Sequence, residues 1–235
     1  IEKLKTSTYN IPQIESIVVS EETLNSFDVE HIDLVALLWQ TGYLTFDKKV
    51  FKREKIFYKL KVPNKEIQFS LNELFLNYLT NQTNEIILHQ DDLYDAITLD
   101  IQNLKTAITS LFASIPYNNY VNNNISKSEG YYSSVAFTYF MSLGFQTISE
   151  DVTNKGRIDL TLKLPNRIVI IEFKVDKKEK ALKQIKEKKY YEKYLNEKKE
   201  IYIVGICFSS EDKNVTEFEF EKVGLKSHFR LCKTD

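Results

Sequence analysis

Gly156-Arg157-Ile158-Asp159-Leu160-Thr161-Leu162-Lys163-Leu164, the pair Pro165-Asn166, and Arg167-Ile168-Val169-Ile170-Ile171-Glu172-Phe173-Lys174 decide the reading of this chain. Leu160, Leu162 and Leu164 alternate with Asp159, Thr161 and Lys163, the period of a strand with one apolar face. Ile168 to Ile171 run together, as in a strand buried on both faces. Pro165-Asn166 between them predicts a hairpin, although this is not one of the favoured glycine turns. A hairpin centred there sets Asp159 across from Glu172. Glu172 and Lys174, two residues apart, share a face.

Two carboxylates facing each other without a cation repel, and one is pushed toward neutrality. Mg²⁺ (or Mn²⁺) relieves that conflict, because it takes hard oxygen ligands and keeps several waters. Such an ion can activate water for attack at phosphorus and stabilise charge on phosphoryl oxygens. Lys174 can orient or deprotonate that water, or stabilise the transition state; the sequence leaves these open. The plainer reading is an edge-strand ion pair on a wet face. Against it, Glu172 and Lys174 continue a strand too apolar to be simply exposed.

Outward from this hairpin, residues 129–143 read as a helix stopped by Gly144, and 145–150 as a strand. Ser126 or Ser128 is the expected cap of that helix. A long helix is expected over 178–197, then strands over 201–208 and 215–220. The order gives an α/β core with a mixed sheet. Glu129 is either an acid reaching into the cleft or a first-turn acid favoured by the helix dipole. Ala181, Gln184, Lys188 and Tyr191 recur at helical spacing and share a face. Gln184 on that face is placed to hydrogen-bond Lys174 or a phosphate. Tyr190 lies on a different face and is expected to cap the sheet.

Upstream, Asp28 is the expected cap of a helix over 29–41 that Gly42 ends. Strands over 43–46 and 56–62 and a helix over 65–79 follow. A helix, a strand, a lysine-rich turn and a strand resemble a small winged element, a geometry used for DNA, for linking domains or for protein contact. Residues 91–115 read as one helix, broken by Pro116-Tyr117-Asn118-Asn119, and 118–124 as an asparagine-rich loop.

The 235 residues carry 32 basic and 33 acidic side chains, so no global basic signal points to nucleic acid. Between Lys174 and Lys199, however, 11 lysines face 5 acidic residues, a local net of +6. That patch suits a phosphate backbone or a solvated helix face. Cys207 reads as a small core residue and Cys232 has no partner spacing, so neither a disulfide framework nor a zinc site is expected. No apolar run is long enough to span a membrane. The start has no signal-peptide core, which gives the expectation of a cytoplasmic setting. It also lacks Met and opens in what looks like the end of a helix, hence the expectation of a piece of a longer protein.

Residues 115–194 resemble the PD-(D/E)xK nuclease superfamily, and more narrowly its branch found C-terminal to a bacterial AAA-ATPase-like domain. The resemblance rests on Ile115-Pro116-Tyr117, Glu129-Gly130-Tyr131-Tyr132, Gly156-Arg157-Ile158-Asp159-Leu160, Ile171-Glu172-Phe173-Lys174, and Ala181-Leu182 with Gln184-Ile185 and Lys189-Tyr190. Thr41-Gly42-Tyr43-Leu44-Thr45 and Pro63-Asn64-Lys65-Glu66 resemble the segment joining the two domains. It implies a restriction-endonuclease-like core over 84–235, preceded by a small, mainly helical α+β linker over 1–83. It further implies Asp159, Glu172 and Glu129 at the metal, Lys174 as catalytic, and Gln184 as the polar residue of the following helix. Ile158 stands where the superfamily has proline. No G-x-x-x-x-G-K-[ST] is present, so ATP hydrolysis is not expected of this chain. The expected activity is divalent-metal-dependent cleavage of nucleic acid, with DNA preferred. The alternatives are an inactive nuclease-fold module that binds nucleic acid or protein, and a regulatory partner docking on an ATPase-like domain.

Overall fold

The N-terminal part is built around a hairpin. The structure is a computed structural model and describes residues 17–26, 33–82, 85–117, 119–120, 129–176 and 180–224. Strand β1 (Val18–Ser20) leads into α1 (Glu21–Asn25), and α2 spans Leu34–Gln40. Strands β2 (Thr45–Lys52) and β3 (Lys55–Lys61) pair antiparallel, with β1 on the other side of β3. Helix α3 (Lys65–Thr80) starts where Asn64 accepts from the Ile67 N–H at 2.9 Å. Helix α4 (Ile86–Thr98), a 3₁₀ turn (Ile101–Asn103) and α5 (Leu104–Ser114) follow, then α6 (Glu129–Ser142).

The second sheet holds β4 (Gln146–Thr153), β5 (Gly156–Lys163), β6 (Arg167–Val175), β7 (Glu200–Ser209) and β8 (Asn214–Lys222), in that order. Only β6 and β7 are parallel, and the crossover between them carries α7 (Ala181–Lys188) and a 3₁₀ segment (Tyr190–Glu197). This is the expected mixed α/β sheet packed against helices. Leu160 pairs with Ile171 and Lys163 with Ile168, the hairpin register read from Pro165-Asn166.

Every residue of β6 is buried. Val169, Ile171, Phe173 and Val175 join a core that also holds residues of α3, α4, α5 and α6. Ile168 and Ile170 face the other way, onto Leu182, Ile185, Tyr190 and Tyr194. Glu172 and Lys174 keep the parity of Ile168 and Ile170, so they belong to the α7 face. Helix α3 is tied to α6 at one end, where the Tyr131 hydroxyl donates to the Leu79 carbonyl at 2.9 Å.

Several expected elements take different bounds. Asp33, not Asp28, caps α2, accepting from Val35 and Ala36 N–H; Asp28, Ser126, Ser128, Cys232 and most of 118–124 lie outside the described residues. The expected helix over 91–115 starts earlier and breaks at Thr98–Asp100. There the Thr98 hydroxyl turns back to Tyr94 O and Asp100 caps the 3₁₀ turn. The helix expected over 178–197 ends at Lys188, with Lys189 left-handed at φ 51°. The break re-aims Tyr190 and Tyr194 into the core beneath α7, which a straight helix from Ile185 cannot do. Tyr191 therefore does not share the face of Ala181 and Gln184. Tyr190 lies over the backbone of Gly156, whose φ of 148° and missing Cβ make room for the ring.

Candidate active site

The site forms where β5 leaves its neighbours. Pairing of β5 with β6 ends at Leu160–Ile171, and pairing with β4 skips one position between Ser149–Leu160 and Asp151–Ile158. The skipped pair is Glu150 and Asp159. Glu150 is left-handed at φ 52°. Leu160 and Ile158, two residues apart, consequently lie in opposite hydrophobic clusters, which regular alternation forbids. One residue in each strand has left the pleat, with the register on either side unchanged. In this irregular stretch the Asp159 carboxylate accepts the Phe173 N–H at 2.8 Å, doing the work of a ladder carbonyl.

Glu172 is 1% exposed and Lys174 6%. Lys174 Nζ lies 3.3 Å from Glu172 Oε1, and the Gln184 amide of α7 donates to the same oxygen. Gln184 thus bonds Glu172, where a bond to Lys174 or a phosphate was expected. Glu172 Oε2 is buried and has no hydrogen-bond partner. A buried carboxylate oxygen with an open lone pair is what a hard cation requires.

Burial, followed by the charge of Asp159, pushes Glu172 up to about 8. Asp159 is also raised, first by burial and further by Glu129 and Glu150, against the pull of the Phe173 N–H and Lys174. Burial works against the Lys174 ammonium, yet Glu172, Glu129 and Asp159 together leave it raised. The cluster therefore holds more negative charge than its one lysine balances. A divalent cation fits that imbalance, and Asp159 with Glu172 are the residues that would hold it.

Glu129, at the start of α6, is close enough for its charge to act on Asp159 and Lys174. Among the described residues, however, no three acidic, histidine or cysteine side chains converge tightly enough to hold a metal ion. The charges of the three expected acids all act within this cluster, Asp159 on Glu172 and Glu129 on Asp159 and Lys174.

Three contributors were not anticipated. Gly205 pairs with Glu172 across β6 and β7, and a Cβ there would sit 2.8 Å from Leu182 Cα. Only glycine lets α7 lie close enough for Gln184 to reach Glu172; a glycine inside an apolar strand is the signal that finds it. Glu150, ion-paired with Arg157, has no sequence signal. Asp151, 5% exposed, accepts from the Thr161 hydroxyl at 3.0 Å and bonds Tyr194 and Lys193, fastening the 3₁₀ segment to the sheet.

The basic patch is largely compensated. Lys180 pairs with Glu219, Lys183 with Glu187, Lys186 with Glu221 and Lys199 with Glu197. It reads as a solvated surface more than as a free cationic track.

Two buried acids and a lysine thus come together on adjacent strands of a mixed sheet. Residues 127–218 match the PD-(D/E)XK nuclease superfamily, and this part of the chain is a domain of that superfamily. Its members typically use a divalent metal. The chain is also 36% identical over 218 residues to a protein of Azotobacter chroococcum mcd 1 described as an uncharacterized protein in the vnfD 5′ region. That alignment covers 91% of this chain but 42% of the relative, so the chain spans less than half of the relative's length. No helix among the described residues is long and apolar enough to cross a membrane.

Proposed function

We propose that the chain is a Mg²⁺- or Mn²⁺-dependent phosphodiester hydrolase acting on DNA. The observation that carries this reading is the open, buried Oε2 of Glu172 beside Asp159 and Lys174. Asp159 and Glu172 would hold the ion, with Glu129 charging the cleft from the start of α6. A bound divalent cation supplies Lewis acidity toward a phosphoryl oxygen and makes water a stronger acid. Lys174, kept protonated by the surrounding carboxylates, is a cation suited to the charge that builds on the phosphoryl group. The Gln184 amide fixes one oxygen of Glu172 and leaves the other to face the ion. Attachment to an ATPase-like domain belongs to the same proposal, supported by the resemblance and by the greater length of the Azotobacter relative.

The test is cleavage of plasmid and branched DNA with Mg²⁺ or Mn²⁺ by the parent and by Lys174→Ala. The reading expects a folded variant that no longer cuts. Equal cleavage by both proteins removes Lys174 from the chemistry. No cleavage by either, with binding retained, favours a nuclease-fold binding module.

A further inference from the structure

We propose that the β2–β3 hairpin is a second contact for double-stranded DNA, made to phosphates through one lysine face. Residues 45–61 hold seven basic and two acidic side chains, a net of +5 on 17 residues of a chain whose total is −1. Directly paired residues share a face of a ribbon. The pairs Lys48–Lys59 and Lys52–Lys55 put four lysines on one face. Lys61, two residues from Lys59 on the same strand, adds a fifth. Of the two acids, Glu54 lies in the turn beside Lys55, and Asp47 sits in the bulge between Phe46 and Lys48, 3.5 Å from Lys59 and 3.9 Å from Lys61.

Val50 and Phe57 lie between these lysine pairs, and the other face carries Lys49 over Tyr58 together with an aromatic anchor. Trp39, Phe46 and Tyr58 stack in series at 4.2 and 4.6 Å and anchor the base of the hairpin. The ribbon therefore presents its lysines outward on a fixed support. Lysines directly opposite one another repel, and an isolated hairpin gains nothing from them. A polyanion turns that cost into binding energy, through the counterions its phosphates release. The face is roughly 20 Å long at strand rise, about six base-pair steps. At its tip, beyond the residues that pair with β1, the hairpin is a two-stranded ribbon, which matches the width of the major groove of B-DNA.

Helix α3 starts immediately after β3, beside a groove where Lys59, Lys61 and Lys65 outnumber the one acid, Asp47. Its far end is bonded at Leu79 to Tyr131, two residues from Glu129. Sixteen helical residues span roughly 24 Å, or about seven base-pair steps. The far end of α3 thus lies by the start of α6, whose Glu129 charge reaches Asp159 and Lys174.

The choice of DNA rests on the proposed function, so binding is measured in EDTA, where absence of cleavage cannot affect the result. Fluorescence anisotropy of a labelled 30-base-pair duplex is followed across a salt series for the parent and for Lys48→Gln/Lys52→Gln/Lys55→Gln. Each lost phosphate contact lowers the slope of log K against log salt by about 0.9, so the triple variant loses roughly 2 to 3 from that slope. Removing the repulsion also leaves the variant as thermally stable as the parent or more so, which separates lost contact from lost fold. Equal slopes, or a parent that does not bind the duplex, overturn the proposal. Poly-glutamate is titrated in parallel. Binding to it that depends on the three lysines, while DNA binding does not, assigns the face to an acidic protein partner and also overturns it.

Discussion

Replacing Gly205 by Ala adds one methyl group and should disable the site from behind. The new Cβ would lie 2.8 Å from Leu182 Cα, 2.9 Å from Leu182 Cβ and closer still to Leu182 N, where ordinary contact begins at 3.4 Å. Two of these three atoms are backbone, so no rotamer change relieves the clash and α7 has to retreat by about 1 Å. Overpacking of this kind costs about 1–3 kcal/mol. The retreat also stretches the Gln184–Glu172 bond, worth about 0.5–1.5 kcal/mol with Glu172 protonated in the metal-free protein. A total near 3 kcal/mol lowers the melting temperature by roughly 6–12 °C for a chain of this size. In urea the midpoint falls by about 1 M or more. The assay is urea unfolding followed by circular dichroism, with Mn²⁺ affinity measured on the same preparation. Trimming Leu182 to Ala in the Gly205→Ala background should not restore stability, because the clash is with backbone. A Gly205→Ala protein within 0.5 kcal/mol of the parent, with unchanged Mn²⁺ affinity, would refute the claim that this close approach sets Gln184 on Glu172.

Asp151→Ala should cost about 2–4 kcal/mol in denaturant unfolding, since it strands the buried Thr161 and Tyr194 hydroxyls, while Mn²⁺ affinity stays at the parent's value. The two-residue turn between β2 and β3 holds Arg53 and Glu54 at φ 47° and 65°, a conformation natural to Asn-Gly. Arg53→Asn/Glu54→Gly should therefore raise stability by about 0.5–2 kcal/mol, read as a higher melting temperature. Folding raises Glu172 from its ordinary 4.5 to about 8, so between these values the folded metal-free protein holds a proton that the unfolded chain has lost. Its contribution to stability is full below pH 4.5 and is lost as pH rises toward 8, by at most about 1.4 kcal/mol per pH unit. Melting temperatures measured from pH 5 to 8 should fall in the metal-free parent, fall less in Glu172→Gln, and fall less with saturating Mg²⁺, which favours the charged form.

The hairpin at Pro165-Asn166 was legible because apolar alternation on one side and an unbroken apolar run on the other leave a single workable register. The cap at Asn64 and the helix after it were equally plain, since a short polar side chain before an apolar period is a local signal. What sequence reading missed was tertiary in origin. Nothing in Ser149-Glu150-Asp151 marks Glu150 as left-handed; the break in the pleat accompanies Asp151 bonding Tyr194 and Ile158 packing on the α7 side while Leu160 packs on the α6 side. Lys189 breaks a lysine-rich segment with good helix propensity, because Tyr190 and Tyr194 gain more from the core beneath α7 than the helix loses. The pairing of acids with lysine was visible in a few residues, but the role of Gly205 depends on a helix arriving from elsewhere in the chain.

The central claim is that Asp159 and Glu172 together hold a divalent cation. Titration calorimetry of Mn²⁺ into the parent and into Asp159→Ala, both at neutral pH and both shown to be folded, measures it directly. The account predicts one site in the parent and an affinity at least about a hundredfold weaker in the variant, since losing a ligand should cost no less than losing an outer-shell partner. Equal Mn²⁺ affinity in the two proteins would contradict it.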